Sequence, residues 1–463
     1  MLHRSLLEFE RIEEDIRYSK GFGRGGVPSR LPVTYLRGFL SACKKCSILS
    51  KDRSFTKMHL AKKNNKLPAK LTVISDLPRD LLEEIHSRLP FTSLRRFRSV
   101  CKKWNTLSKT SGFTKAAAAK EHMVVMVIDC RVYLMGLDLQ GVEPSINPKG
   151  KLISLDDSDG VEISLVYHCD GLLLCITKDF ARFVVWNPYS GQTLWLTPRV
   201  RGPKLDLYRY AIGYENSNSR RNYKVLRYKE DSPTDIAISY IEYEIYDCNS
   251  NSRRTFHVTS DWEIAFYARG VSLKGNNYWF AQRKYHGVYD LADFLICFDF
   301  TRERFGPRLP LPFHSRIEDI VTLSSARIED IVTLSSAGEE QLAVLFQPYN
   351  RLHMEIWVTT KIEPEVALWS KVFLSAAMKP VTDLQFGLTR GSFIIDQEMK
   401  VAVVFDKDKH VNNPTRNVAY IIGEDGYNRE VDLGKSTDKY ESSLGCSYVP
   451  SSVQIKQGDN KLI

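Results

Sequence analysis

The chain predicts two folds in series: a small all-α module, then an all-β domain of β-propeller type with about six blades. Three observations carry this. Between Ile74 and Lys120 apolar residues recur at three- and four-residue steps; beyond Lys120 the period becomes that of strands; and there an aliphatic run ending in an aromatic returns again and again along the chain. The resulting division is a basic extension at 1–70, the helical module at 71–120, the β domain at 121–455 and a tail at 456–463.

In the helical module Pro78 lies where a helix can begin without losing a hydrogen bond, Asp80 and Glu83 occupy the first turn, and Leu77, Leu81, Ile85 and Leu89 share a face. Pro90 stops that helix. Thr92 or Ser93 can cap the next, in which Leu94, Phe97, Cys101, Trp104 and Leu107 form the apolar stripe and Arg95, Arg96, Arg98, Lys102 and Lys103 face outward. A module of about 45 residues buries too little surface to stand comfortably alone, so it is expected to lean on a partner or on the next domain.

This pattern, from the Leu77-Pro78 opening to the Val-Cys-Lys-x-Trp signature at Val100–Trp104, closely resembles the F-box. The resemblance implies that Leu77, Pro78, Leu81, Ile85, Leu89, Pro90, Leu94, Val100, Cys101 and Trp104 form or support the surface that docks on the Skp-type adaptor of a cullin-RING ubiquitin ligase. Ser93 stands where many F-boxes place an acidic residue, which weakens a cap or rim contact more than the apolar seam. The competing reading makes these residues the private core of a small helical domain. Both can hold together, since a large apolar side chain buried at an interface contributes about 1.5 to 3 kcal/mol.

The second half of the module also occurs upstream. Residues 29–62 match residues 87–120 at 20 of 34 positions, including Leu31-Pro32 with Leu89-Pro90 and Cys43-Lys44-Lys45 with Cys101-Lys102-Lys103. The first helix is missing from this copy, because Gly21, Gly23, Gly25, Gly26 and Pro28 oppose a helix there, and Cys46 replaces the tryptophan. It reads as a relic of duplication. A second adaptor site, borrowing a helix from the Ser5-x-x-Glu8 capping box onward, is the alternative. The alignment also explains Cys43-x-x-Cys46 without a metal, as no second Cys or His pair stands nearby at ligand spacing. No cofactor is expected.

The net charge of +10 belongs to the extension, where residues 1–70 hold 16 Lys and Arg against 6 Asp and Glu, leaving 49 against 49 in the remainder. A solvated leader is the reading, with Met58 as an alternative start; a basic-arm RNA-binding protein is the competing class, though it lacks the stacking aromatics of an RNA module. The start is charged, and no apolar stretch approaches the roughly 18 residues a span requires, so neither secretion nor a membrane partner is expected. An odd number of scattered cysteines points to a reducing compartment, and hence to cytoplasm or nucleus.

In the β domain, apolar runs at 172–176, 183–187, 223–228, 243–248, 294–300, 342–346, 354–358 and 401–405 read as strands, separated by turn signals at Asn187–Gly191, Gly275–Asn277, Gly338–Glu340 and Asp425-Gly426. Strand-ending aromatics recur at Trp186, Tyr246, Phe298, Trp357 and Phe405, the last interval being the shortest, and Asn187, Asp247, Asp299 or Asp406 follows four of them. Such spacing suits four-stranded blades; a pair of β-sandwiches is the runner-up.

The segments DGLLLC (170–175), VVWNPYSGQTLWL (184–196), IGYE (212–215), YKVLR (223–227), GVSLKGNNYWF (270–280) and SYVPSSVQI (447–455) together resemble the F-box-associated interaction domain, type 1 and kelch-like, of the large plant F-box family. The resemblance implies a substrate-recognition subunit that holds a client protein while the ligase's separate machinery transfers ubiquitin. Loop aromatics Tyr189, Trp195, Trp262 and Tyr349 are the candidates for client contact, weighed against a place in the core. A β-propeller enzyme is the alternative, but no phosphate loop, nucleophile elbow or His-x-x-x-His appears, and the histidines are dispersed. Finally, RIEDIVTLSSA occurs at 316–326 and again at 327–337; an offset of 11 would reverse the faces within one strand, so one copy is expected to pair in the sheet and the other to loop out, the copy beside Gly338 being the ordered one.

Overall fold

The computed structural model divides the chain into two units, 1–120 and 121–463. It describes residues 122–139, 145–151, 161–198, 208–217, 220–231, 239–264, 268–283, 293–313, 331–347, 354–374, 392–408, 416–423, 428–435 and 444–455, all in the second unit. The expected helices at 71–120 and the partial repeat at 29–62 lie outside them.

The described residues form a six-bladed β-propeller. Its strands in chain order are β1 (His122–Ile128), β2 (Arg131–Asp138) and β3 (Ser145–Lys151) of blade I; β4 (Ile163–Cys169), β5 (Leu172–Thr177), β6 (Phe183–Asn187) and β7 (Gln192–Leu196) of blade II; and β8 (Arg209–Ser217), β9 (Arg220–Asp231), β10 (Ser239–Asp247) and β11 (Ser252–Ser260) of blade III. Blade IV is irregular. Its inner position is shared by β12 (Trp262–Ile264) and β13 (Val271–Leu273), both paired to β14 (Asn276–Arg283), and its outer position by β16 (Arg304–Phe305) and β17 (Leu309–Pro310), both paired to β15 (Phe294–Asp299). Blade V holds β18 (Ile331–Ala337), β19 (Gln341–Gln347), β20 (Glu355–Glu363) and β21 (Val366–Leu374), and blade VI holds β22 (Ser392–Asp396), β23 (Val401–Asp408), β24 (Arg416–Gly423) and β25 (Asn428–Lys435). The last strand, β26 (Leu444–Tyr448), returns to blade I and pairs antiparallel with β1, Val125 opposite Cys446.

The inner strands neighbour one another in a closed series, β4 beside β8, β8 beside β13, β13 beside β18, β18 beside β22, β22 beside β26 and β26 beside β4. The middle strands are largely buried on both faces, β20 opening to solvent beyond Thr359, because successive side chains serve different seams. On β19, Ala343 and Leu345 join Phe393 and Ile395 of blade VI, whereas Leu342, Val344 and Phe346 join Tyr278 and Leu295 of blade IV. On β9, Tyr223 and Val225 face blade II while Leu226 and Tyr228 face blade IV. Unbroken apolar runs, not alternating ones, are the consequence.

All eight apolar runs fall in such middle strands: β5, β6, β9, β10, β15, β19, β20 and β23. The aromatic repeat falls on the third strand of blades II to V and slips to the second strand in blade VI. Trp186, Tyr246 and Phe298 each stand one residue before a β-hairpin turn on the third strand of a blade; Trp357 lies well inside β20, and Phe405 is on the second strand of blade VI, where Asp406 pairs with Val418 rather than opening a turn. The short interval between Trp357 and Phe405 thus marks a change of strand. Of the duplicated segment, Ile331–Ala337 of the second copy is β18, as its position beside Gly338 suggested; the first copy lies outside the described residues.

After β26 the chain crosses to blade II as a strap, residues 449–455. Asn187 Nδ2 donates to the carbonyls of Ser451 (3.0 Å) and Val453 (2.8 Å). Gln192 engages Ile455 as a strand would, its Nε2 donating to the carbonyl at 3.3 Å and its Oε1 accepting the amide at 3.1 Å. Gly171, at φ +76°, lies against the strap so closely that a Cβ there would meet Ser451 N at 2.6 Å. Bare backbone is required at that position.

Candidate functional site

The turns that follow the first and third strands of each blade lie on one face of the ring, and that face carries fixed polar chemistry. Each begins with the backbone leaving the sheet and exposing amides that a short acceptor can take up. Asn187 Oδ1 accepts from Ser190 N, Asp247 Oδ1 from Asn249 and Ser250, Asp299 Oδ1 from Thr301 and Arg302, and Asp396 Oδ1 from Glu398 and Met399, all at 2.8 to 3.0 Å. Lys274 and Gly275, both at positive φ, make the two-residue turn between β13 and β14.

Between blades III and IV sits Lys224, 2% exposed. Its ammonium donates to Glu215 Oε2 (2.5 Å), Glu303 Oε1 (2.7 Å) and the carbonyl of Phe300 (3.2 Å), and Glu303 also pairs with Arg254. Asn222 joins the group, donating to Glu215 at 3.1 Å and Asp247 at 2.7 Å. Burial works against ionising Glu215 and Asp247, yet the Lys224 bond to Glu215 and the turn amides and Asn222 at Asp247 prevail, holding both carboxyls below their usual range. Lys224 is thus a three-way clamp across the seam.

Between blades II and III, Asp170 accepts from Tyr223 and from Arg221, whose guanidinium lies 4.6 Å from the centre of the Tyr214 ring. Arg221 and Tyr214 are partly open to solvent, giving this face a cation–aromatic pair with a fixed orientation. Deeper in the same seam Arg227 is fully buried, bonded to Glu244 at 2.8 Å and stacked 3.4 Å from the centre of Tyr208. Sequence reading passed over these charges. Their signal was Lys224 and Arg227 embedded in the apolar run YKVLRY, since a charge within a buried strand requires partners.

The aromatics expected to meet a client separate into three groups. Tyr189 (2% exposed) and Trp262 (9%) are core: Tyr189 is tucked under its turn, and Trp262 packs edge-on to Phe305 at 5.2 Å. Neither side chain offers a surface. Trp195 is half-buried on the outer strand of blade II beneath exposed Arg182, 5.2 Å from its ring centre. Tyr349, like Leu77, Pro78, Leu81, Ile85, Leu89, Pro90, Leu94, Val100, Cys101 and Trp104, lies outside the described residues.

The buried histidine and thiols of the described core are held in their uncharged forms. His168 Nε2 accepts the amide of Gly171 at 3.0 Å, and burial lowers its pKa to about 4, so at neutral pH the ring is uncharged and engaged. Burial pushes the thiols of Cys169, Cys248 and Cys446 up to about 12, so they stand protonated. Among the described residues no group of three or more His, Cys, Asp or Glu could hold a metal ion.

Two family descriptions match the chain. Residues 74–116 match the F-box domain and residues 123–455 the F-box associated beta propeller domain. The chain is 56% identical to the putative F-box protein At3g17620 of Arabidopsis thaliana, over 84% of this chain and 98% of that one, and 55% identical to the F-box/kelch-repeat protein At3g16740 of the same plant, over 82% and 99%. A third Arabidopsis thaliana relative, F-box protein At3g17320, is 46% identical over 83% of this chain and all of its own length.

Proposed function

The chain belongs to the family of F-box proteins that carry an F-box associated β-propeller domain, and from that premise we propose that it is the substrate-recognition subunit of an SCF-type cullin-RING ubiquitin ligase. The single observation that carries this is the order of the two domain matches, an F-box at 74–116 and a propeller at 123–455. The F-box, within 71–120, docks on a Skp-type adaptor through Leu77, Pro78, Leu81, Ile85, Leu89, Pro90, Leu94, Val100, Cys101 and Trp104. The propeller, within 121–455, holds a client protein, and a client lysine then meets the conjugating machinery at high effective concentration. The protein contributes position and no bond-making step, working in cytoplasm or nucleus. A kelch-like character of the blades is supported by the similarity to the F-box/kelch-repeat protein At3g16740.

Among the aromatics proposed for the client, Trp195 is the half-exposed one among the described residues, and an aromatic beneath an arginine is the kind of group that anchors interfaces. The test is a pull-down with the Skp-type adaptor. Leu77→Ala/Pro78→Ala should abolish adaptor capture, while a chain beginning at Met58 should retain it. Capture that survives the double substitution but vanishes on truncation would transfer the role to the partial copy at 29–62. Trp195→Ala should reduce client capture by about tenfold with adaptor capture unchanged, the loss expected of an interface residue worth more than about 1 kcal/mol.

A further inference from the structure

The inner strand of blade V is β18, and every residue that pairs it to β19, from Ile331 opposite Gln347 to Ala337 opposite Gln341, belongs to the second copy of RIEDIVTLSSA. Val332 and Leu334 turn toward the blade IV seam with Leu342, Val344 and Phe346, whereas Ala337 turns toward blade VI with Phe393 and Ala402. The first copy presents the identical heptapeptide, Ile320–Ala326, eleven positions earlier. Any contact made by β18 could be made, side chain for side chain, by Ile320–Ala326. We propose that the two copies are interchangeable as this strand, so that blade V has two registers and the protein carries a spare inner strand.

What distinguishes the registers is connection length. With the second copy in the sheet, residues 311–330 link β17 to β18 and Gly338–Glu340 turn into β19. With the first copy in the sheet, residues 311–319 make the first link and residues 327–340 the second. Loop-closure entropy depends on the logarithm of length, so exchanging these two pairs of loops shifts the equilibrium by only about threefold. The added preference for the second copy comes from the tight turn, where Gly338 at φ +67° lets Ala337 face Gln341. Exchange also moves eleven residues from the face carrying the longer connections to the face carrying the short turns, because the β17–β18 and β18–β19 connections leave opposite ends of the strand.

The test compares the same damage with and without the spare. In the full chain, Val332→Asp/Leu334→Asp places two carboxylates in the blade IV seam; if the first copy takes over, the protein still folds, its urea midpoint falls only slightly, and Glu-specific cleavage becomes prominent after Glu339 and Glu340, which pass from a tight turn into a long connection. In a chain lacking residues 316–326, the same two substitutions should eliminate cooperative unfolding, while the deletion alone should leave the midpoint unchanged. The reciprocal change, Val321→Asp/Leu323→Asp, should be silent in the full chain. Equal losses from Val332→Asp/Leu334→Asp in both backgrounds would overturn the proposal, as would a full chain that fails to fold with them.

Discussion

The hairpins of blades II, III and IV place Asn187, Asp247 and Asp299 at one equivalent position, one residue after the strand aromatic, and they differ in a single atom that the neighbours explain. In all three the first oxygen accepts turn amides. The second atom meets different company. At blade III it faces the donor Asn222, and at blade IV the guanidinium of Arg302, so a carboxylate fits; at blade II it faces two carbonyls of the strap, and only an amide can donate to both. Turn chemistry is shared among blades, while the remaining atom records what packs outside each one.

The largest way to break this contrast is to remove the ionic clamp. Lys224→Met leaves Glu215 and Glu303 facing each other and should cost about 4 kcal/mol of stability, read as a lower urea midpoint. Next is pH. His168 has its folded pKa lowered from 6.5 to about 4, so its contribution is complete above pH 6.5 and is lost as pH falls to about 4, where the unfolded chain gains a proton that the folded one refuses. That amounts to roughly 3 kcal/mol, and His168→Gln should flatten the profile across that window. Asn187→Asp keeps the turn acceptor but points a carboxylate at two carbonyls; about 2 kcal/mol should be lost, and more at pH 7 than at pH 4, where the acid can donate. The mirror change, Asp299→Asn, should cost about 1 kcal/mol or less because its Oδ1 bonds survive. An Asp299→Asn loss equal to that of Asn187→Asp would dissolve the distinction.

Middle strands were legible because burial on both faces writes an uninterrupted apolar run, as in LLLCI of β5 and FLICF of β15. Inner and outer strands were not. β11, at Ser252–Ser260, is exposed along nearly its whole length and carries Arg253, Arg254 and His257, a composition that reads as loop until β10 is known to pair with it. β4 alternates irregularly, since its register against β5 shifts between Ile163 and Leu165 and inner strands flank it on both sides. The candidate site was less legible than the fold. Tyr189 and Trp262 looked available in the sequence because turn residues and short strands are usually open, yet packing beneath a turn and beside Phe305 closes them off. Lys224 and Arg227 stand out within YKVLRY, but the partners of the clamp were hidden for another reason: Lys224 and Glu303 meet only when blades III and IV are set side by side.

The pairing of β26 with β1 has a consequence for how the protein is made. His122–Ile128 leaves the ribosome long before its partner at Leu444–Tyr448, so blade I waits with an open edge throughout synthesis of the other five. Nascent chains of this kind are expected to need shielding until the final segment emerges, and a premature stop before Leu444 would leave a ring that cannot shut, a natural target for quality control.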